Sequence, residues 1–403
     1  MEQVLNPGNM ASAQKRVIAN KGEAGVDGMK VSELNAYMAE NRTFITESIE
    51  NGTYQPQAVL GVEIDKASGG KRLLGIPTVI DRTIQQAIQQ VLSPIYDAEF
   101  SAYSYGFRPN KGAHQAISQG LDYINSGYQD IIDLDLKSFF DVVNHDLLMG
   151  ILYRKVKEER LLRLIRKYLR TGILIGGASQ QREEGTPQGS PLSPLLSNIM
   201  LNELDQELES RGLRFVRYAD DCSIFVKSKR SAERVLRNST RYIEDRLHLQ
   251  VNKEKTGIRR PITFHMLGYN FVSSYKQGVK GKYQLRVSPE RFKRMKQKVK
   301  EITRKKRPLS FSDRITELNS FMKGWIGYFR HANMQGKLQE LDVWIRNRLR
   351  YCIWKHWKNR PEGAHEVNRI NACEAIFGWG LNREWLMHGL GLVWVDGRKL
   401  VAP

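Results

Sequence analysis

Residues 215 to 226 read Phe-Val-Arg-Tyr-Ala-Asp-Asp-Cys-Ser-Ile-Phe-Val, and few folds accommodate such a stretch. Two short runs rich in apolar and β-branched residues flank adjacent carboxylates at Asp220 and Asp221, which predicts a hairpin with acids at its tip. Apolar residues on both arms predict buried strands. Two ionised neighbours in such a place repel each other unless a cation lies between them, and a hard divalent metal is the economical answer. An Asp-Asp turn closing an ordinary surface hairpin carries the same dipeptide, so a second stretch has to weigh in. Ile131 to Asp141 supplies it: a strand-like apolar run that, by the period-two rule, sets Asp133 and Asp135 on one face.

A lone Asp from one strand and a pair from a hairpin can build the clamp for two Mg²⁺ ions, roughly 3.5 to 4 Å apart, that nucleotidyl transfer needs. Together the two stretches resemble the palm of reverse transcriptases, whose Tyr-Ala-Asp-Asp signature stands here at Tyr218 to Asp221. The resemblance implies Asp135, Asp220 and Asp221 as catalytic and metal-holding residues, with Leu136 in the metal set. Asp135 and Asp220 would lie closest to the chemistry. It also implies an α+β fold: right-hand polymerase fingers and a ferredoxin-like palm, then a helical thumb or maturase domain. The order strand (131–135), helix, hairpin (215–226), helix, strand (near 265–272) fits the split βαβ of such a palm.

Charge agrees with a polyanionic partner. Lys and Arg number 63 against 43 acids, a formal net charge of +20, which points to nucleic acid first. A ribosomal-type basic protein would be shorter and would lack the acidic cluster. At 403 residues with 41% hydrophobic content, the chain has room for two or three domains with their own cores. Cys222, Cys352 and Cys373 show neither paired metal spacing nor a disulfide framework, which fits a reducing cytoplasm. No stretch approaches the roughly 18 apolar residues of a membrane span or has the build of a signal peptide.

Other strings extend the resemblance. Residues 1 to 50 are expected to be partly helical, with a glycine-rich loop from Asn20 to Gly28. Its Gly25 to Gly28 matches a segment that touches template in group II intron reverse transcriptases. Leu60 to Ile76 predicts a hairpin turning through Ala67 to Gly70. The resemblance to fingers makes Lys71 and Arg72 candidates for gripping the nucleotide triphosphate, although exposed cations on a hairpin are ordinarily only solvated. Thr78 predicts an N-cap with Asp81 as its capping-box acid, and Ile80, Ile84, Ala87, Ile88 and Val91 predict a core stripe. Arg108 is either a contact to template phosphate or a packing residue. Phe140, five residues after Asp135, is a core ring by its sequence; by resemblance it lies under the incoming sugar and selects dNTPs. Ser190 is expected to cap a helix with Pro191 at its first position. Beside them Gln188 and Gly189 would come close to the nucleotide and the base pair. Lys255, with Lys253 as its rival, resembles the lysine that protonates departing pyrophosphate. Leu267 and Gly268 resemble the primer grip.

Between Arg286 and Arg307 stand eleven Lys or Arg against Glu290 and Glu301. So one-sided a run repels itself without a phosphate backbone to meet. Beyond it, Gly324-Trp325, Tyr328-Phe329 and Trp344-Ile345-Arg346 predict a helical bundle with an aromatic core face and a basic face. These positions resemble the maturase domain of group II intron-encoded proteins. The expected organisation is an N-terminal extension and start of the fingers (1–80), fingers and palm (81–288), thumb (289–360) and a short DNA-binding-like segment (361–403). That last segment, with Cys373, His365 and His388 but no Cys-x-x-Cys pair, implies no endonuclease. The resemblance implies an RNA-directed DNA polymerase of the compact group II intron type, using Mg²⁺, dNTPs, an RNA template, a DNA primer or target and intron RNA, with no membrane and no obligatory protein partner. Two alternatives belong to other classes: an RNA-binding maturase in which polymerisation is secondary, and a domesticated reverse transcriptase serving repair or defence.

Overall fold

The computed structural model describes residues 1–65, 70–274, 281–358, 393–395 and 399–401. Helices α1 (Glu2–Leu5), α2 (Pro7–Ala19) and α3 (Leu34–Glu50) open the chain. Asn6 accepts the Gly8 N–H at 2.9 Å to cap α2, and Pro7 stands at its first turn. Strands β1 (Val59–Asp65) and β2 (Lys71–Ile76) then form the expected antiparallel hairpin, with Leu60 opposite Ile76; the residues at its turn, 66 to 69, lie outside those described.

Helix α4 (Val79–Asp97) starts as its sequence predicts: the Thr78 hydroxyl accepts the Asp81 N–H at 3.1 Å. Ile84, Ala87 and Ile88 are fully buried in the main core. The Asp81 carboxylate is buried as well. It accepts from the Thr78 hydroxyl (2.8 Å), the Tyr54 hydroxyl (2.8 Å) and the Gln57 N–H (3.1 Å), tying the approach to β1 onto α4. Burial pushes this carboxyl above its ordinary range, and those three bonds oppose the shift.

Next come α5 (Ala113–Asn125), β3 (Asp130–Leu134), α6 (Phe139–Val142), α7 (His145–Lys155) and α8 (Glu159–Arg170), then β4 (Ile173–Ile175) and β5 (Ala178–Gln180). Strand β4 runs parallel to β1, giving a four-stranded sheet of order β2-β1-β4-β5. Helix α9 (Ser193–Ser210) begins later than its sequence predicts. Leu192 is its N-cap and Pro194 lies in its first turn, whereas Ser190 donates its hydroxyl to Gln85 Oε1 at 2.5 Å. The same oxygen accepts the Leu192 N–H at 3.2 Å, so the serine serves the turn that leads into the helix while its proton satisfies a buried amide.

The second sheet comprises β6 (Arg214–Tyr218), β7 (Asp221–Val226), β3 and β8 (Gly257–Arg259), with α10 (Lys229–Arg246) between β7 and β8. Its order is β6-β7-β3-β8, antiparallel throughout. The fourth strand is thus 257–259 and not the stretch near 265–272. With one apolar residue in three, β8 has no strand signature of its own; pairing of Ile258 with Ile132 recruits it.

The chain divides into two compact units, Met1–Arg260 and Pro261–Pro403. In the second, β9 (His265–Met266), β10 (Tyr269–Ser273) and β11 (Tyr283–Val287) form a three-stranded sheet of order β11-β10-β9. Helices α11 (Pro289–Ile302), α12 (Phe311–Phe329) and α13 (Gln335–Lys358) follow. Their fully buried centre is aliphatic, with Val299, Ile302, Ile345 and Leu349, while Phe292, Phe321, Trp325 and Trp344 are only partly buried against it. The expected aromatic core face is therefore the core's margin, where large rings can keep one edge wet. Strands β12 (Val393–Val395) and β13 (Lys399–Val401) pair near the end; the rest of 361–403, including Cys373, His365 and His388, lies outside the described residues.

Gly25 shows how tightly the N-terminal loop is fitted: a Cβ there would lie 2.7 Å from Thr78 Cα and 2.8 Å from Thr78 N. Gly25→Ala is expected to lower stability by about 1–3 kcal/mol through backbone displacement. The control is Gly112→Ala, at a site with open space within 4 Å, and urea denaturation of the two variants compares them.

Candidate polymerase active site

Strands β6 and β7 meet in a two-residue turn, with Tyr218 paired to Asp221 and Ala219-Asp220 between them. Ala219 takes φ +58°, a left-handed conformation that costs an L-residue roughly 1–2 kcal/mol. The surrounding structure holds it there. The Arg217 guanidinium, 1% exposed, forms a bidentate pair with the fully buried Asp205 of α9, at 2.7 Å from Nε and 2.6 Å from Nη2. Its Nη1 donates to Asn198 Oδ1 and to the Ala219 carbonyl, both at 2.9 Å. Asn198 in turn donates to the Gly106 carbonyl at 2.9 Å. Gly106 lies directly on the turn, where a Cβ would come within 2.3 Å of Ala219 N. Tyr105 N–H donates to the Arg217 carbonyl and Arg217 N–H to the Tyr103 carbonyl, each at 2.9 Å, so the 103–106 loop runs beside β6 up to the tip.

Register decides which acids share a face. Asp133 pairs with Ser223 and Leu134 with Cys222, so one step further Asp135 and Asp221 fall on the same face as Asp133. The main chain at Asp135 is pinned by the turn that follows α10. Asn252 N–H donates to the Asp135 carbonyl at 2.9 Å, and the Thr256 hydroxyl accepts from Asp135 N–H at 3.0 Å. Asn252 Oδ1 caps the same turn by accepting the Glu254 N–H at 3.2 Å. Lys255 emerges from it with Nζ 3.5 Å from Asp135 Oδ2.

Three cations of this segment match three acids of β3 and its extension: Arg260 with Asp130 (3.0 Å), Arg259 with Asp133 (2.9 Å) and Lys255 with Asp135. Asp221 has no ion pair among the described residues. Its surface is open to solvent, yet protein crowds it on several sides. Desolvation first, then the charges of Asp220, Asp135 and Asp133, push its carboxyl up to about 6, with Lys255 pulling the other way.

The other expected site residues divide into three groups. Phe140 packs edge-on against the buried Phe139, with ring centroids 5.2 Å apart, and remains half-buried. Its carbonyl accepts the Thr186 N–H at 2.6 Å, bringing the 185–189 loop alongside, and Gln188 Nε2 reaches Asp141 Oδ1 at 3.5 Å. Gly189, at φ +113°, makes its close approach to Gly75, whose carbonyl oxygen a Cβ would meet at 2.5 Å. Lys71 is exposed and paired with Glu63 across the hairpin, which raises its pKa; the side chain of Arg72 lies outside the described residues. In the second unit, Leu267 (φ +50°) and Gly268 (φ +86°) form the two-residue turn between β9 and β10. Leu136 is buried and bridges to Val251.

Arg108 has the contacts of the second of its two expected roles, packing. Its guanidinium is bound to the Asp97 carboxylate (2.6 Å) and to the carbonyls of Ser101 (2.5 Å), Ser104 (3.0 Å) and Asp97 (3.1 Å), and lies over the Phe100 ring. At 6% side-chain exposure its guanidinium is satisfied within the fold.

Residues 64–271 match the reverse transcriptase (RNA-dependent DNA polymerase) family. The chain belongs to the reverse transcriptases. Residues 292–369 match the group II intron, maturase-specific domain, which places it with the group II intron members of the family. Similar proteins include YkfC of Escherichia coli (strain K12), 33% identical over 63% of this chain and 77% of YkfC. Another is the group II intron-encoded protein LtrA of Lactococcus lactis subsp. cremoris, 35% identical over 53% of this chain and 36% of LtrA. The chain thus spans about a third of LtrA. A solved Cas6-RT-Cas1--Cas2 complex aligns with 60% of this chain and 42% of its own at 25% identity and a TM-score of 0.39. Reverse transcriptases are RNA-directed DNA polymerases that use divalent metal ions. Among the described residues no helix is long and apolar enough to cross a membrane.

The donor set here fits a hard divalent ion by its chemistry: carboxylate oxygens, and an excess of negative charge that lifts Asp221. It is not drawn into a cage. Among the described residues no three acid, His or Cys side chains stand close enough to hold a metal ion. Asp135 Oδ2 lies 3.5 Å from Lys255 Nζ.

Arg217, Asp205, Asn198 and Gly106 were not among the expected site residues. The signal was present: an Arg at an inward strand position, and an Asp on the apolar stripe Leu201, Leu204, Leu208 of a helix. Arg217→Met is expected to destabilise by about 3–5 kcal/mol, since it leaves Asp205 buried without its cation. Asn198→Ala keeps the pair and is expected to lose only about 1–2 kcal/mol, while loosening the tip. Urea unfolding alongside primer-extension rates separates the two: for Asn198→Ala, extension falls further than stability.

Proposed function

We propose that this reverse transcriptase extends a DNA primer on an RNA template at the β6–β7 tip, with Asp135, Asp220 and Asp221 holding Mg²⁺. The observation that carries the reading is the shared sheet face of Asp135 and Asp221, beside a turn that presents Lys255. Magnesium bound by these carboxylates would lower the pKa of the primer 3′-hydroxyl and neutralise charge on the triphosphate. The 3′-oxygen attacks the α-phosphorus, the bond from that phosphorus to the bridging oxygen breaks, and pyrophosphate leaves. Lys255 donates a proton to the leaving pyrophosphate, from a turn that sets its Nζ 3.5 Å from Asp135 Oδ2.

Phe140 and Gln188 form the nucleotide's side of the site in this reading. Their loops are held together by the Thr186–Phe140 main-chain bond, so the ring that would exclude a 2′-hydroxyl and the amide beside it move as one piece. Lys71 and Arg72 grip the triphosphate, with Lys71 exchanging Glu63 for phosphate. Leu267 and Gly268 serve the primer.

A second role has its own support. The maturase-specific match and the cation-rich α11 favour binding of intron RNA as a splicing cofactor. Asp220→Ala is expected to abolish extension of a DNA primer on RNA while leaving RNA affinity nearly intact; parallel loss of both would sink the assignment. Phe140→Ala is expected to admit rNTPs, read from dNTP and rNTP incorporation side by side.

Asp221 also predicts a pH dependence. With its folded pKa raised, its contribution to the stability of metal-free protein is complete below about pH 4, the ordinary Asp range. That contribution is lost as pH rises through about 6. Thermal melts of metal-free protein are expected to show Asp221→Asn more stable than the parent at about pH 7.5, with the advantage fading toward about pH 4. Adding Mg²⁺ at the higher pH raises the Tm of the parent more than that of the variant.

A further inference from the structure

Two adjoining hollows lie along α11. The first, about 380 Å³, is lined by Phe321, Trp325 and Phe329 together with Arg291, Arg294 and Lys298. Its rings are buried or half-buried, whereas Arg291 and Lys298 are exposed, so an aromatic floor sits under a cationic rim. The floor is pre-set: Trp325 packs on Phe329 with centroids 5.0 Å apart and on Phe292 at 6.0 Å. The second hollow, about 550 Å³, is lined by Lys298, Glu301, Arg304, Lys306 and Arg307, four cations to one acid. Lys298 belongs to both. Arg294 and Lys298 contact Glu290 and Glu301 at the surface, pairs that exchange readily in water.

Positive charge that continues past an apolar cavity suits a polymer of phosphates better than a single small anion. Half-buried rings within such a track are the combination that binds single strands, because every base has a stacking face. We propose that the aromatic cavity takes one unstacked base of a single-stranded polynucleotide, whose phosphates follow α11 from Arg291 across Lys298 to Arg304. This inference rests on the nucleic-acid reading of the second unit given above and adds to it a single-base site at Trp325.

The test uses the full chain and 12-nucleotide single strands, as RNA and as DNA, each also made with one abasic position stepped along its length. Fluorescence anisotropy at one fixed salt concentration measures Kd. The parent is expected to bind the strand about tenfold more weakly when the abasic position matches the cavity, within the range of a lost base stack. Trp325→Ala is expected to bind intact and abasic strands alike, and Trp325→Phe to restore the difference. The arm with the larger abasic penalty identifies the strand as RNA or DNA. Equal binding of all abasic strands by the parent overturns the proposal, as does an equal loss on intact and abasic strands in Trp325→Ala. If the alanine variant does not fold, 2-aminopurine at the matching position of the parent complex gives the answer: quenching supports the stack, and emission as bright as in the free strand overturns it. Failure to bind any strand at low salt would overturn the nucleic-acid reading itself, whereas binding without base discrimination removes only the cavity's role.

Discussion

The Arg217–Asp205 pair is the interaction on which the β6–β7 hairpin depends. A two-residue turn bearing adjacent acids has little reason to hold one shape: its carboxylates repel, and Ala219 sits in a conformation that L-residues avoid. The guanidinium supplies what the turn lacks. Two of its nitrogens are fixed by Asp205, and the third holds the Ala219 carbonyl and Asn198. Burial of such a pair is a weak source of net stability, because desolvation of both ions offsets most of their attraction. Its value here is geometric: an arginine fixed at one end gives the turn's carbonyl a donor that cannot wander. Gly106 closes the arrangement from the side, since only a residue without a side chain lets the 103–106 loop lie on the turn's backbone.

Charge around the tip is balanced unevenly, and the imbalance has a direction. The segment from 255 to 260 supplies one cation for each of Asp130, Asp133 and Asp135, so strand β3 is close to neutral in company with its neighbour. Asp221 receives no such partner among the described residues and sits amid the residual negative field. A surface evolved only for stability would place a lysine there. Leaving the carboxylate without a cation keeps negative charge concentrated at the tip, and the raised pKa of Asp221 is the mark of that crowding.

How much of this could be read from the chain depends on where each signal is local. The hairpins at 60–76 and 215–226 and the cap at Thr78 follow from periodicity and capping over a few residues, and the structure has all three. Strand β8 was not legible because its pairing is imposed by β3; three residues with one apolar side chain look like a loop until a partner edge is known. Arg108 was left open between two roles for a related reason. A cation in an aromatic loop has the same appearance whether it faces phosphate or four internal acceptors, and only the fold brings Asp97, Ser101 and Ser104 around it. Ser190 keeps a local bond, accepting the Leu192 N–H, but its second partner, Gln85, lies more than a hundred residues earlier, which no local rule anticipates.

Helix α11 poses the opposite problem from the tip, since there like charges are gathered rather than buried. Its inner face needs only Met295, Val299 and Ile302 to dock on the bundle, and a helix so anchored tolerates almost any polar residue outside. Arg314, itself buried, donates to the carbonyls of Ile302 and Arg304 at 2.6 and 2.9 Å and so satisfies the helix's free end. With packing and capping supplied from elsewhere, the exposed residues are released from structural duty. Neutral or mixed charges would serve solubility equally well and would repel one another less. The outer face is cationic nonetheless, and Glu290 and Glu301 relieve only part of the repulsion, which leaves the helix a surface of the charge that a phosphate backbone would neutralise.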